Sequence, residues 1–580
     1  MNALHIRPSA GRVREYKSYL LWAAPLVFLL LFYFYPLASI FQTSFARGFQ
    51  SSTDSWWSAL SSTVTWRVTW FTFWQAAVST LLTLIIGLPG AYLMARYRFR
   101  GKSLLLALSS ISFVMPTLVV AMAFNALLGS HGWLNNVLTG IFNLETPPIQ
   151  FTNTLTAILV AHVYYNTTIV LRLVGDFWAH LDPRLNGAAQ VLGATRWQSL
   201  RKITLPLLMP SITAAALLIF IFDFTSFGVI LLLGGPRFAT LEVEIYYQTV
   251  SLFNLPMAAT LALIQLGFTV VLTILYTRMT YRISRPLTLR PVTYTQRSPA
   301  TWQERLFTVL VAGGLLMFLV LPMLTLAARS VTRLENIREK PSMDMSSTPI
   351  TLDFYRELGI NRRQSIFYSP PTTAIAVSLG YAAITVVLAL ALGLPAAWSL
   401  AYDTGSSFNR SMDPVLMLPL GTSAVTLGLG FIVALDQPPL NLRASLLLVP
   451  LAHTLVALPI VVRSLTPALR SIRPRLRHSA SVLGASPLQV FRYIELPLVG
   501  RAVIVAAIFA FTISLGEFGA TAMIARPEYP TIPLAIYRFA SQPGALNYGQ
   551  ALALSTILMI ITTLGILAIE RLRLAEIGEF

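Results

Sequence analysis

Apolar residues run in long stretches, and charged residues are largely confined to the intervals between them. A bilayer core about 30 Å thick needs roughly 20 apolar helical residues rising about 1.5 Å each. Twelve stretches meet that length: 18–40, 69–95, 103–126, 152–171, 207–233 and 257–277, then 306–327, 373–401, 413–435, 445–462, 502–524 and 551–569. The pattern predicts an all-α polytopic membrane protein with about twelve transmembrane helices. The first stretch is longer than a signal-peptide core and no small-x-small cleavage site follows it, so it reads as a permanent anchor.

Composition sharpens this reading. Hydrophobic residues make up 55% of the 580 and charged residues only 11%, against roughly 25% charged in an ordinary soluble chain. Mean hydropathy is +0.67. With no cysteine, disulfides, thiol nucleophiles and cysteine metal sites are excluded. A net charge of +19 suggests nucleic acid in a soluble protein, so the position of the charges decides. With the N-terminus inside, twelve spans leave 29 of the 42 basic residues in cytoplasmic segments, as the positive-inside bias requires. Seven of the other 13 lie in one outer loop, 329–372, beside Glu335, Glu339, Asp344, Asp353 and Glu357. The charge is therefore mostly topology: it places both termini in the cytoplasm, makes the lipid bilayer the partner and removes the case for nucleic acid.

The chain also repeats itself. At an offset of 291, residues 161–246 align with 452–537 without a gap. Matched residues include Ala161-His162 with Ala452-His453, Arg172 with Arg463, Phe227-Gly228 with Phe518-Gly519, and Tyr246 with Tyr537. At an offset of 306, Gly87-Leu88-Pro89 matches Gly393-Leu394-Pro395. Two homologous six-helix halves follow, 1–277 and 306–580, joined by 278–305, which reads as a solvated linker carrying no chemistry. Six spans per half is even, so both halves enter the membrane the same way, related about an axis along its normal.

The most strongly shared stretch is cytoplasmic, about 181–206 and 472–497. Asp182 and Pro183 suit a helix start; Gly193 then permits a left-handed turn, and a second short helix from Trp197 leads to Pro206. Small Ala188 and Ala189 allow close approach of another protein surface, while Arg184, Arg196, Arg201 and Lys202 keep the loop out of the bilayer. This is a docking element present twice.

Here the residues resemble a family. Ala188, Ala189, Gly193, Ile203, Leu205 and Pro206 resemble the E-A-A-x-x-x-G-x9-I-x-L-P motif of binding-protein-dependent ABC importer permeases, and Ala480, Gly484, Ile494, Leu496 and Pro497 resemble it again. Gly187 and His478 replace the usual Glu, and Ser479 the first Ala, which puts a charged contact in question without removing docking. The resemblance implies the type I importer permease fold in a bacterial plasma (inner) membrane and a coupling role for both loops. It also implies a dimer of ABC ATPase subunits at the cytoplasmic face and an extracytoplasmic solute-binding protein. By the same resemblance ATP and Mg are expected on the partner subunits, and the chain is expected to be a transport subunit without catalytic residues, resident cofactor or metal. Gly101-Lys102-Ser103 is no phosphate loop, because Arg96 stands where the first glycine is needed. The fused two-half form looks most like thiamine and ferric-iron permeases. The run 227–247 resembles the thiamine type, whereas 515–521 resembles molybdate and sulfate permeases, leaving an oxyanion open.

Ionisable residues at membrane depth are rare and usually face the bundle interior or a cavity. Four qualify: His162 and Asp223, His453 and Glu517. Carboxylates would attract a cationic cargo, with Tyr164, Tyr165 and Trp74 offering aromatic faces. Interhelical hydrogen bonding to Ser226, Asn166 or Thr225 is the alternative. The loops 236–246 and 527–537 fall on the outer side, as docking site or surface helix. Two other classes compete: a twelve-span ion-coupled secondary transporter, against which the repeated docking loop argues, and a membrane enzyme, for which no repeated carboxylate or metal cluster exists at the outer surface.

Overall fold

The computed structural model describes residues 21–46, 56–283, 295–332, 350–360, 370–402, 406–436, 438 and 440–577. Among them the regular structure is helical, apart from two isolated bridges. The first half contains α1 (Leu21–Phe45), α2 (Thr63–Arg96), α3 (Lys102–Val114), α4 (Thr117–Leu128), α5 (Leu155–Ala179) and α6 (Arg184–Val191). It continues with α7 (Arg196–Phe224), α8 (Gly228–Leu233), α9 (Leu241–Tyr246) and α10 (Leu255–Ile283). The second half repeats the order in α11 (Trp302–Ser330), α12 (Pro371–Tyr402), α13 (Ser407–Met417), α14 (Ala424–Ala434), α15 (Leu448–Ser471) and α16 (Pro474–Val482). It closes with α17 (Leu488–Gly516), α18 (Gly519–Ile524), α19 (Ile532–Ala540) and α20 (Ala545–Ile577). By length and composition, eleven described helices suit a bilayer crossing, α4 being counted with the helix that follows it as Thr117–Phe142; α13 and α14, bent 95° at their junction, bring the number to twelve.

Four stretches expected as continuous spans are broken. The span 103–126 parts at Met115-Pro116, where Met115 is extended (φ −61°, ψ 137°). Proline lacks the N–H a helix needs and pushes the preceding residue out of helical geometry. The span 413–435 turns at a short 3-10 segment containing Pro419, after which Ser423 Oγ accepts from the N–H groups of Val425 and Thr426 to restart a helix. The span 207–233 parts between Phe224 and Gly228, and 502–524 parts at Glu517, which is extended (φ −69°, ψ 124°). Average hydropathy does not register a change of backbone direction when both sides are apolar. Irregular backbone at membrane depth is tolerated only where protein buries it or it lines a cavity. All four breaks therefore point to one place.

The repeat residues explain the packing. A Cβ on Gly87 would meet Val170 Cβ at 2.7 Å, and one on Gly393 would meet Val461 Cγ1 at 2.7 Å. The same glycine lets the same helix pair approach in each half. The leading spans cross over: α1 packs on α14 of the second half, and α11 on α4 of the first. Trp22 Nε1 donates to Asn409 Oδ1 at 2.8 Å, and Tyr164 Oη donates to the Leu319 carbonyl at 3.1 Å. Residues 284–294 of the linker lie outside the described residues. The segment that follows is not solvated throughout: Thr295 is buried, and Arg297 joins residues 96–98 through two backbone hydrogen bonds.

Candidate functional site

The four breaks converge on a cavity of about 350 Å³ between the halves. Pockets for small organic molecules start at about that size. Asp223 and Glu517 line it, as do Phe113, Phe222, Phe227 and Phe518.

Asp223 occupies the last turn of α7 and is 1% exposed. Asn166 Nδ2 donates to its Oδ1 at 2.7 Å, while Oδ2 has no hydrogen-bond partner. His162, also on the cavity wall, stands with Nδ1 3.4 Å from Asp223 Oδ1 and 3.1 Å from Ser79 Oγ, and with Nε2 2.9 Å from Ser226 Oγ. Two partners named from sequence, Ser226 and Asn166, thus sit against His162 and Asp223.

Glu517 is placed differently. It follows α17 and precedes α18, so its carboxylate reaches the free donors at the start of the next helix. Oε1 accepts from Ala520 N at 2.8 Å; Oε2 accepts from Thr521 N at 3.1 Å and Thr521 Oγ1 at 2.8 Å. His453 lies behind it, with Nε2 3.2 Å from Glu517 Oε2 and Nδ1 2.8 Å from Ser514 Oγ.

A third carboxylate, Glu242, was not among the sequence candidates. The loop 236–246 turns inward, so α9 is a buried helix rather than a surface one, with Leu241, Val243 and Ile245 fully enclosed. Glu242 lines the cavity, accepts from Ser423 Oγ of the other half at 2.6 Å and accepts from Gln265 Nε2. The signal in the sequence was Glu242 between Leu241 and Val243, with Gln265 in the middle of the next span. Of the aromatic candidates, Tyr165 lines the cavity with its hydroxyl unpartnered, Tyr164 is a packing residue bonded to α11, and Trp74 lies elsewhere, 42% exposed.

The loops 181–206 and 472–497 each form the two short helices read from sequence. Asp182 Oδ1 accepts from Arg184 N at 3.0 Å, and Thr195 with Gln198 forms a reciprocal cap on the second helix. Gly193 and Gly484 take φ of +87° and +85°, the left-handed region that favours glycine. Beside them Val191, Leu192, Val482 and Leu483 are each at least 86% exposed. Ala189 and Ala480 face inward; Ala188 faces out. Ile203 and Ile494 are half-buried, Leu205 and Leu496 start the helical segments re-entering the bundle, and Pro206 and Pro497 stand in their first turns. Apolar side chains are thus held outward twice, at one distance from a glycine turn, as two matching exposed apolar patches.

Two apolar helical halves, a cavity between them and a loop with exposed apolar residues that occurs once in each half are the features of a transport permease. The chain belongs to the family described as binding-protein-dependent transport system inner membrane component, matched over 87–285 and 389–573. It is an ABC importer permease in a multi-pass, inner-membrane fold. It is 27% identical over 525 residues to the Thiamine transport system permease protein ThiP of Brucella abortus, covering 89% of this chain and 88% of that one. It is likewise 27% identical to the ThiP of Escherichia coli strain K12 (85% and 88% covered) and to that of Haemophilus influenzae (92% and 93%). A crystal structure of a bacterial alginate ABC transporter with its periplasmic protein aligns at 19% identity and a TM-score of 0.40, covering 47% of this chain and 97% of that chain.

Proposed function

We propose that this permease passes a small, flat organic cation of the thiamine kind inward. The observation that carries the reading is the buried Asp223 carboxylate, whose Oδ2 is unpartnered in a cavity also lined by Glu242, Glu517 and aromatic rings. A buried, unpaired carboxylate oxygen is costly unless a donor or cation meets it, and aromatic faces attract cations. An oxyanion would meet three carboxylates and be repelled. Among the described residues no group of three His, Asp or Glu is arranged to hold a metal ion, which favours an organic cation over ferric iron. The names of the relatives support the same cargo.

Two copies of an ABC ATPase dock beneath α6 and α16, one on each exposed Val-Leu pair, and bind the ATP and Mg. Closure of that dimer moves the loops through Gly193 and Gly484, and the connected α7 and α17 carry the motion to the breaks at Asp223 and Glu517. Ala188, Ala189, Ile203, Leu205 and Pro206, with Ala480, Ile494, Leu496 and Pro497, shape the two loops. A solute-binding protein delivers cargo at the opposite face, and both termini are cytoplasmic.

The test begins with mild-detergent purification of the tagged chain and its intact-complex mass, which should show one chain with two ATPase copies. Proteoliposomes of that complex, supplied with binding protein, should take up radiolabelled thiamine only with ATP. A chain that purifies alone and accumulates thiamine on an ion gradient would overturn the coupling. ATP-driven uptake of molybdate or ferric citrate with none of thiamine would overturn the cargo.

A further inference from the structure

The segment that leads into the second half is fastened to the root of the first loop, 181–206. Thr295 Oγ1 donates at 2.5 Å to the carbonyl of Ala179, the end of α5, and Gln296 Nε2 donates at 3.0 Å to the carbonyl of Met94, in the last turn of α2. Arg98 N donates to the Arg297 carbonyl at 2.9 Å and Arg297 N to the Arg96 carbonyl at 3.1 Å, which forms an isolated parallel bridge. The Arg297 guanidinium pairs with Glu304, and Glu304 with Thr301 caps the first turn of α11. Between Thr295 and Glu304 the chain thus ties together the ends of α2, α5 and α11.

Side-chain packing closes the same junction. The Tyr92 ring of α2 lies 5.2 Å from that of Trp178 on α5 and 5.8 Å from that of Phe307 on α11. The loop itself reaches the joint: Pro183, Asn186, Ile203 and Thr204 share with Thr295 a cavity of about 20 Å³, room for about one water. Arg196, in the second short helix of the loop, adds its positive charge at Glu304.

The second half fastens the equivalent helices without a linker. In the repeat Met94 corresponds to Leu400 and Ala179 to Arg470, and Arg470 Nη2 of α15 donates directly to the Leu400 carbonyl of α12 at 3.0 Å. Alanine at 179 is too short to reach Met94, and Thr295 and Gln296 bridge the two helices instead. A buried carbonyl needs a donor, but Lys102 Nζ already donates to that of Met94 at 2.6 Å. What the linker adds is a mechanical tie to α11.

We propose that Thr295, Gln296, Arg297 and Glu304 form a bracket that makes the first loop, α2 and α11 move as one body, so that displacement of the loop reaches α11 as well as α7. These are positioning residues, and none of the four lines the cargo cavity. Contiguous packed and hydrogen-bonded elements carry displacement between distant sites. The bracket rests on the reading that an ATPase docks on the loop, and is independent of which solute is carried.

The chain has no cysteine, so two introduced ones can carry spin labels. Gly187→Cys, where a Cβ meets open space, and Gln303→Cys, at an exposed position, report the distance from the loop to α11. In the purified complex with its ATPase subunits, that distance should be the same in the nucleotide-free and the ATP-vanadate-trapped forms. With Thr295→Val, Gln296→Leu and Arg297→Ala added, it should change by about 2 Å, the scale of helix shifts in switching proteins. Transport per ATP hydrolysed should then fall about fivefold, an effect of the size seen for coupling residues remote from a ligand, while ATP hydrolysis stays within about twofold of the parent. Thr295→Ser keeps the hydroxyl and should behave as the parent. If the triple variant fails to assemble, a Gly-Ser-Gly insertion after Ser298 lengthens the bracket with its side chains intact and should uncouple in the same way; the same insertion after Leu289 should have no effect. A parent distance that changes with nucleotide, or an assembled bracket variant that transports with the parent's efficiency, would overturn the proposal. A parent that purifies without ATPase subunits would remove the docking on which it rests, and that failure is seen before any label is read.

Discussion

The two buried histidine sites are the same device with two residues exchanged. In the register of the repeat Asp223 aligns with Ser514, and Ser226 with Glu517. At these two aligned positions each histidine therefore meets one acid and one serine, on opposite ring edges; Ser79 adds a second hydroxyl at His162 and Thr521 one at His453. The Nδ1 edge faces Asp223 in the first half and Ser514 in the second; the Nε2 edge faces Ser226 and then Glu517. A shift of three residues changes what the carboxylate can do. At 517 it stands outside a helix and caps α18 with both oxygens. At 223 it lies within the last turn of α7, out of reach of α8, and one oxygen is left over. The two aligned sites therefore differ in one respect: at 517 both carboxylate oxygens have partners, whereas at 223 Oδ2 has none.

Exchanging the residues again should break that asymmetry most severely. Asp223→Ser with Ser226→Glu gives the first half the pattern of the second, and the new carboxylate should cap α8. Uptake of thiamine per assembled complex should fall about a hundredfold, within the roughly 2–5 kcal/mol attached to removing one member of a buried charge pair. Retained uptake would show that the position of the acid is immaterial. The milder Asp223→Asn keeps shape and removes charge. KM for thiamine should rise about tenfold, equivalent to about 1.4 kcal/mol, with the melting temperature of the complex little changed.

Glu517→Gln should show the opposite division. It weakens the bonds to Ala520, Thr521 and His453, each worth about 0.5–1.5 kcal/mol when neutral and more when charged. Thermal unfolding should fall by a few degrees, while KM should stay within about twofold of the parent. A KM change as large as that of Asp223→Asn would make both acids cargo ligands and end the distinction.

The sequence disclosed what the repeat forced to recur. Gly87 and Gly393 each sit against a valine, and Gly193 and Gly484 each take a positive φ, because small or left-handed positions admit few substitutes. Features that distinguish the halves left weaker traces. Glu242 has Pro533 opposite it in the repeat, so no pairing drew attention to it. The breaks near Met115 and Thr225 were hidden because hydropathy measures transfer to lipid, whereas the backbone turns where proline or a polar side chain offers another partner. The cavity itself is a property of four breaks meeting across two halves, which no local window of sequence contains.

The smallest expected effect lies at the loops 181–206 and 472–497, proposed above to couple to the ATPase, where the halves also differ. Asn186 accepts from Thr204 Oγ1 at 2.9 Å and from Ser199 Oγ at 2.7 Å. At the equivalent places Arg477 Nε lies 3.4 Å from Glu495 Oε1, with Trp398 Nε1 donating to Oε2 at 2.8 Å and the guanidinium 3.7 Å from the centre of the Tyr402 ring. Removing Arg477 alone would strand Glu495, which is 2% exposed. Replacing both members of a buried pair is often close to neutral, because attraction and desolvation are lost together. Arg477→Asn with Glu495→Thr should therefore shift stability by only about 1 kcal/mol, chiefly from the indole donor left without its acceptor. ATP-driven uptake should remain, because the exposed Val482 and Leu483 are untouched. Loss of coupling in a normally folded double variant would mean that the ion pair transmits the motion of α16, and the two loops would then differ in function as well as in chemistry.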